Sequence, residues 1–293
     1  MTDDTNGTSH GLTRRKFYKA EQEASFAEAH PHDTPQTQSE SYRLAFRDTG
    51  FLLREELRPV RFQLELLKAE MLLDEARIGS TLVVYGSARI PSPEMAEAAL
   101  KTATTPERRA VVERLVEKSR YYEEARRLGN IAASQAIVED GMRQFVVCSG
   151  GGPSIMEAAN RGSVEAGGET IGLNIVLPHE QAPNQYVTPD LSFQFHYFAL
   201  RKMHFLLRAR AVAVFPGGYG TFDEMFELLC LIQTGKMKPI PILLFGGAFW
   251  KRVVNFEALA EEGVINPEDL DLFTPVETAE EGWEVIRRFY DLD

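Results

Sequence analysis

Phe215-Pro216-Gly217-Gly218-Tyr219-Gly220-Thr221-Phe222-Asp223-Glu224 is the stretch on which the reading of this chain turns. It follows an apolar run at 211–215 and leads into a helical pattern over 221–235. Strand, glycine turn and helix in that order place the unpaired N–H groups of a helix start at the carboxyl end of a strand. Such an end carries partial positive charge and holds anions, phosphate in particular. Gly217, Gly218 and Gly220 free the backbone for close approach, and Thr221 is expected to cap the helix and add a hydroxyl donor. Asp223 and Glu224 enter the first helical turn. Acids there complement the helix dipole; a carboxylate beside an anion site also suits chemistry, and Glu224 is the stronger candidate.

A second turn reads Cys148-Ser149-Gly150-Gly151-Gly152-Pro153-Ser154-Ile155-Met156-Glu157. Its Ser149, Gly150 and Gly151 are candidate ligand contacts. Glu157 either lines the pocket or is a dipole-favoured acid at a helix start. The dinucleotide fingerprint asks for a third glycine and an acid at the end of the next strand. Here Ile155 holds that glycine position, and the next strand ends Ile175-Val176-Leu177-Pro178. A nicotinamide cofactor is disfavoured, and with no Walker lysine so is triphosphate hydrolysis. A mononucleotide fits better. A third turn, Tyr85-Gly86-Ser87-Ala88-Arg89, offers a close backbone approach at Gly86 and Ser87. Arg89 there either meets a phosphate or base or is an exposed turn residue.

Working outward, apolar runs at 81–85, 144–148, 170–176, 211–215 and 241–245 read as buried parallel strands, with weaker candidates at 193–196 and 272–276. Helical patterns lie near 119–139, 154–167, 198–209, 221–235, 249–262 and 277–290. The alternation implies an α/β fold, a Rossmann-like doubly wound parallel sheet. All three glycine turns then fall at the carboxyl edge, where ligands bind in such sheets.

Residues 81–293 form this α/β domain, interrupted by a surface arm at about 91–118 that Pro91, Pro93 and Pro106 punctuate. Residues 41–80 read as an N-terminal helical extension, with Leu57, Val60, Leu64, Leu67 and Met71 on one stripe expected to pack on the domain or on a second subunit. Residues 1–40 are polar and read as a mobile tail, its Arg14-Arg15-Lys16 run a solvated stretch.

The chain of 293 residues carries 43 acidic and 32 basic side chains, a net charge of −11. That argues against nucleic acid or an anionic membrane as partner. No apolar stretch reaches the length of a membrane span, and the polar N-terminus has no signal-peptide core, so the cytoplasm is the expected location. Cys148 and Cys230 lie in apolar segments and read as buried thiols. No metal-ligand spacing is present, and His196 and His204 read as solvent-facing or packing residues.

Upstream of the first turn quoted runs His196-Tyr197-Phe198-Ala199-Leu200-Arg201-Lys202-Met203-His204. At helical spacing Arg201, His204 and Arg208 share a face, while Phe198, Met203 and Leu206 read as packing residues. Arg201, near the start of the helix that feeds the glycine-turn strand, is placed to project over the same crevice.

The Pro-Gly-Gly-x-Gly-Thr-x-x-Glu signature from Pro216 to Glu224, the Arg201-Lys202 pair and the Ser-Gly-Gly-Gly-Pro turn resemble the Lonely Guy (LOG) family, also called "possible lysine decarboxylases". The similarity runs from about Thr81 to the C-terminus, and the extension and arm resemble longer bacterial members. The family includes cytokinin riboside 5′-monophosphate phosphoribohydrolases. The resemblance implies a catalytic pair at Arg201 and Glu224, with Lys202 and Asp223 nearby. It also implies a nucleoside monophosphate substrate, no cofactor, and a homodimer or higher homo-oligomer with the pocket near the subunit contact. Ser154 stands where glycine is often seen in the family, and Ala158 where plant-type members tend to carry glycine. Two other readings stay open at this stage. One is a non-catalytic nucleotide-binding or carrier protein on the same fold. The other is decarboxylation on pyridoxal phosphate, for which Lys202 is the nearest lysine and shows no Schiff-base surroundings.

Overall fold

The computed structural model describes residues 17–29, 33–178 and 182–292. The Arg14-Arg15-Lys16 run and part of the expected tail lie outside them. Two compact units are present, Met1–Arg61 and Phe62–Asp293. In the first, Ala20–Ala29 is a helix within the stretch expected as a tail, with acids in its first turn and only Ala24 buried. Short helical turns follow, among them Thr49–Leu52, whose Asp48 cap accepts from the Phe51 N–H.

The second unit is built on a seven-stranded sheet. In chain order its strands are β1 Thr81–Tyr85, β2 Val146–Ser149, β3 Thr170–Ile175, β4 Ser192–Phe195, β5 Ala209–Val214, β6 Ile242–Phe245 and β7 Thr274–Val276. Their spatial order is β4-β3-β2-β1-β5-β6-β7, every pair parallel. This is the Rossmann-like sheet the alternation implies, and both weaker strand candidates are members of it. All of β1 is buried, as a central strand covered on both faces demands.

Alternate residues feed two cores. Val83, Tyr85, Val212, Val214, Ile242 and Leu244 face one layer; Leu82, Val84, Ala211, Ala213, Leu243 and Phe245 face the other. In the second layer Arg120–Gln135 crosses Ile155–Glu165 closely. A Cβ on Gly129 would lie 2.2 Å from the Ala159 carbonyl oxygen, so backbone meets backbone there. The chain order reverses at β1, between β2 on one side and β5 on the other, which opens a crevice at their carboxyl ends.

The helix Arg58–Glu75 turns a different set of residues onto the domain from the stripe read in the sequence. Ala69 and Leu73 are buried, with Phe62, Leu66 and Ala76 packed beside them. The stripe Val60, Leu64, Leu67 and Met71 is exposed instead. The helix has two apolar faces, and charge anchors select the inner one. The Glu65 carboxylate accepts from the N–H groups of His196 and Tyr197, and Glu70 holds Arg208 at 3.0 Å.

Other differences are local. The helix expected to reach 139 ends at Gln135, and a hairpin pairs Val138–Glu139 with Met142–Arg143. Its turn, Asp140-Gly141, has positive φ at both residues, as the hairpin's twist requires. The helix expected over 249–262 is two, Gly247–Val253 and Phe256–Glu261, because Asn255 caps a second start. The arm consists of Pro93–Thr102 and Pro106–Lys118, each capped by a hydroxyl residue followed by proline.

Candidate active site

The three glycine turns meet at the crevice and are hydrogen-bonded to one another. The Ser87 N–H donates to the Pro216 carbonyl at 3.1 Å, and the Ile155 N–H donates to the Ser87 carbonyl at 3.4 Å. Gly86 is small for a packing reason, since a Cβ there would strike Ile155 at 2.5 Å. The Ser87 hydroxyl accepts from the Arg89 N–H, which closes the turn. Arg89 itself is exposed.

The turn after β5 is open. The helix Tyr219–Gln233 begins with Gly218 as its cap residue, and its first backbone bond runs from the Phe222 N–H to the Gly218 carbonyl. No amide from Gly217 to Thr221 donates to an acceptor among the described residues. A Cβ on Gly218 or Gly220 would meet nothing within 4 Å. Free amides in open space at a helix start make an anion site. Thr221 does not cap this helix. It is one turn too late, is buried, and fills the space beside Gly217, where a Cβ would lie 2.1 Å from its Oγ1. The amide of Tyr219 joins the open set, because the helix begins there.

The turn after β2 is filled by the protein's own side chains. Ser149 is buried; its hydroxyl donates to Asn160 Oδ1 at 2.7 Å and accepts from the Gly151 N–H at 3.1 Å. Asn184 donates its backbone N–H to the Gly151 carbonyl and its Nδ2 to the Gly152 carbonyl and Asn160 Oδ1. A Cβ on Gly151 would meet Asn174 at 2.4 Å, and one on Gly150 would meet Arg201 Nη2 at 2.7 Å and Met156 Sδ at 2.9 Å. Ser149 and Gly151 are thus bonded within the turn itself. Gly150 leaves room for Arg201.

Arg201 and Glu224 come together. Nη1 of Arg201 donates to Glu224 Oε1 at 3.2 Å, with 12% and 13% of the two side chains exposed. Nε of Arg201 donates to the Leu173 carbonyl at 2.7 Å, and the guanidinium lies 4.9 Å from the Phe205 ring centroid. Burial pushes the Glu224 carboxyl up to about 7 against the pull of Arg201, and Asp223 adds to the rise. Glu224 thus changes charge near neutral pH, as a general base needs. Below it Tyr85 is kept neutral, its phenol raised by burial and then by Glu224.

Lys202 and Asp223 sit on the outer side of this pair, joined at 3.0 Å, and Lys202 also holds Glu227 at 2.9 Å. Burial pulls Lys202 down, but hydrogen bonds to Glu227 and Asp223 outweigh it and keep it charged. Glu157 accepts from the Tyr122 hydroxyl at 3.3 Å. His204 is a packing residue, tilted against Phe195 with its pKa lowered by burial, and His196 is exposed. Phe198 and Met203 are exposed rather than packed, being on the outer face of Phe198–Leu207. Cys148 is a buried thiol, raised by burial. Cys230 is exposed, contrary to its apolar setting in the sequence, because it falls on the outer face of Tyr219–Gln233. Asn160 is structural, as its place in the sequence suggests, but sequence reasoning missed its partner Asn184, Asn174 beside Gly151, and the fully exposed Tyr219 ring. Their partners come from distant segments, and no local spacing announces them.

Among the described residues no group of His, Cys, Asp and Glu is arranged to hold a metal ion, and no helix is long and apolar enough to cross a membrane.

Fold and site together define an α/β protein with a Rossmann-like sheet, an open anion-receptive helix start and a buried Arg–Glu pair beside it. A model of the family described as "Possible lysine decarboxylase" matches residues 156–286. A cytokinin riboside 5′-monophosphate phosphoribohydrolase of Arabidopsis thaliana is 26% identical over 167 residues, covering 56% of this chain and 73% of that protein. A protein named as a probable enzyme of the same kind, from Oryza sativa subsp. japonica, is 26% identical over 164 residues, covering 53% and 70%. Among solved structures, the structural-genomics target TM1055 is 21% identical with a TM-score of 0.45, covering 71% of this chain and 99% of that one. A molybdenum cofactor binding protein from Rippkaea orientalis is 19% identical with a TM-score of 0.43, covering 72% and 98%. The resemblance of this chain to the Lonely Guy family is borne out by the family and sequence matches.

Proposed function

We propose that the protein is a nucleoside 5′-monophosphate phosphoribohydrolase, a hydrolase of the N-glycosidic bond of AMP or an N6-modified AMP. The products are the free base and ribose 5-phosphate. The observation that carries this reading is the coexistence, in one helix start, of unpaired amides in open space and a buried carboxylate titrating near neutrality.

The 5′-phosphate sits on the amides of Gly218 through Thr221, and the exposed Arg89 lies at the rim to meet its second charge. Binding at this remote group fixes the sugar over Glu224. As the glycosidic bond breaks, positive charge grows on the ribose ring. Ionised Glu224 stabilises that charge and takes a proton from the attacking water, whose oxygen bonds to the anomeric carbon. The electron pair of the broken bond leaves with the base, which picks up a proton. Arg201 keeps one side of its guanidinium on Glu224 and turns Nη2 toward Gly150, where it assists the departing base or the phosphate. No cofactor enters this scheme. A cytoplasmic homodimer fits the exposed stripe Leu64, Leu67 and Met71, which a second subunit would cover.

Incubation with a panel of nucleoside monophosphates, with released base measured by chromatography, tests the reading. Base release from AMP or an N6-substituted AMP, and none from the nucleosides, is the expected result. Tight nucleotide binding with no base released from any member over hours would replace it with the carrier reading.

A further inference from the structure

We infer that the buried ring of Phe205 is a positioning residue that holds the Arg201 guanidinium in register with Glu224. This rests on the reading of Arg201 and Glu224 as the reacting pair. The two residues are four apart in the helix Phe198–Leu207, so their side chains share a face. The ring is fully buried, and the guanidinium carbon lies 4.9 Å from its centroid. A cation withdrawn from water over an aromatic face is held more strongly than an exposed one. The ring is itself fixed from below by Tyr85, edge-to-face at 5.1 Å, at the carboxyl end of β1.

Arg201 is thus held on three sides. The Leu173 carbonyl takes Nε, Glu224 takes Nη1, and the Phe205 face bears the plane. Nη2 has no acceptor among the described residues and points to the space that Gly150 leaves. Two of the three holds come from groups that do not titrate. The guanidinium therefore keeps its place when Glu224 is protonated, and the pair is ready when the proton leaves. An aliphatic side chain at 205 would fill most of the volume but offer no negative face. The guanidinium would then pivot about Nε toward the open glycine turn.

The test replaces Phe205 with leucine, with methionine, and with a ring-fluorinated phenylalanine, which keeps the shape and weakens the face. Two readouts use the free protein: the Glu224 carboxyl titration by carbon-13 NMR, and hydrogen exchange of the Arg201 Nε–H. In each variant the Glu224 midpoint should rise by about one pH unit as its cation loosens, and the Arg201 exchange should quicken roughly 10-fold. With substrate, kcat should fall roughly 10- to 30-fold while KM changes less. A merely structural ring would lower thermal stability and leave both NMR readouts where they are. The fluorinated variant keeps the test decisive if leucine or methionine fails to fold. A folded variant with the wild-type Glu224 midpoint and Arg201 exchange overturns the inference. Wild-type protein that releases no base overturns the phosphoribohydrolase reading instead, and the NMR comparison still decides the part played by Phe205.

Discussion

The turns after β2 and β5 are alike in sequence, each a cluster of glycines between a strand and a helix, and they differ in what fills the space above them. After β5, Gly218 and Gly220 face open space and the amides have no acceptor among the described residues. After β2, the space over Gly150 and Gly151 is taken by Arg201, Met156 and Asn174, and the Gly151 and Ile155 amides already have partners. A glycine run announces that something approaches the backbone closely. It does not say whether that is a ligand or the rest of the protein. In this molecule one turn leaves its amides open and the other makes room for the Arg201 side chain.

The largest effect that would sharpen this contrast belongs to the open turn's helix. Glu224→Gln should lower AMP turnover about 10³-fold and leave AMP affinity within a few-fold, because the carboxylate acts mainly in the transition state. Calorimetry for binding and chromatography for adenine check both parts. Unchanged turnover removes Glu224 from the mechanism.

Next come paired alanines. Gly218→Ala should weaken AMP binding roughly 10- to 100-fold with little change in stability, because its Cβ enters the ligand's space and not the protein's. Gly150→Ala should leave AMP affinity nearly unchanged and lower kcat roughly 10-fold, because its Cβ displaces Arg201 Nη2 and the Met156 thioether, both flexible ends. The reverse pattern, binding lost at Gly150 and turnover lost at Gly218, would exchange the roles assigned to the two turns.

Acidity probes the same pair more gently. With Glu224 at about 7, kcat/KM should rise about tenfold per pH unit below that value and level off above it. Stability runs the other way. A carboxyl raised from 4.5 in the unfolded chain to about 7 in the folded one stabilises the fold fully below about pH 4.5, and that contribution is lost as pH rises to about 7. Across this window the wild type should lose on the order of 3 kcal/mol relative to Glu224→Gln, which has no such proton. Denaturant melts at several pH values measure it. A pH–rate profile flat from pH 5 to 8 would remove the buried carboxyl as the group that limits the rate.

Most of the fold is legible in the sequence because periodicity and glycine punctuation are local signals. The parallel, doubly wound sheet follows from strand–helix alternation, and the signature leads directly to Glu224. Arg201 could be placed over the crevice from its spacing alone, and it is there. What the sequence hides is decided at long range. Which apolar face of Arg58–Glu75 turns inward depends on Glu65 and Glu70 finding partners more than 130 residues away. Whether a glycine is open or filled depends on Asn174, Asn184 and Arg201, none of them its neighbour in sequence. Thr221 had the chemistry of a cap, but the helix started two residues before it.

The smallest effect concerns Ser154, which closes the filled turn. It has φ of 68°, a conformation that costs a non-glycine residue about 1–3 kcal/mol, and its hydroxyl donates to the buried Ile90 carbonyl at the foot of the arm. That bond contributes about 1 kcal/mol, and leaving the carbonyl unpaired costs at least as much. Ser154→Ala keeps the strained backbone and loses the bond. Ser154→Gly loses the bond but relieves the strain. Glycine should therefore be the more stable of the two by about 1–2 kcal/mol, the order usual at an N-cap position and opposite to that of a helix interior. Neither change should alter phosphate affinity at Gly218–Thr221, since the turn after β2 supports the site without touching the anion. Thermal melts rank the variants and phosphate titration checks the second statement. An alanine variant as stable as glycine would show that the backbone at 154 relaxes freely, and that Ser154 is held there by the Ile90 bond alone.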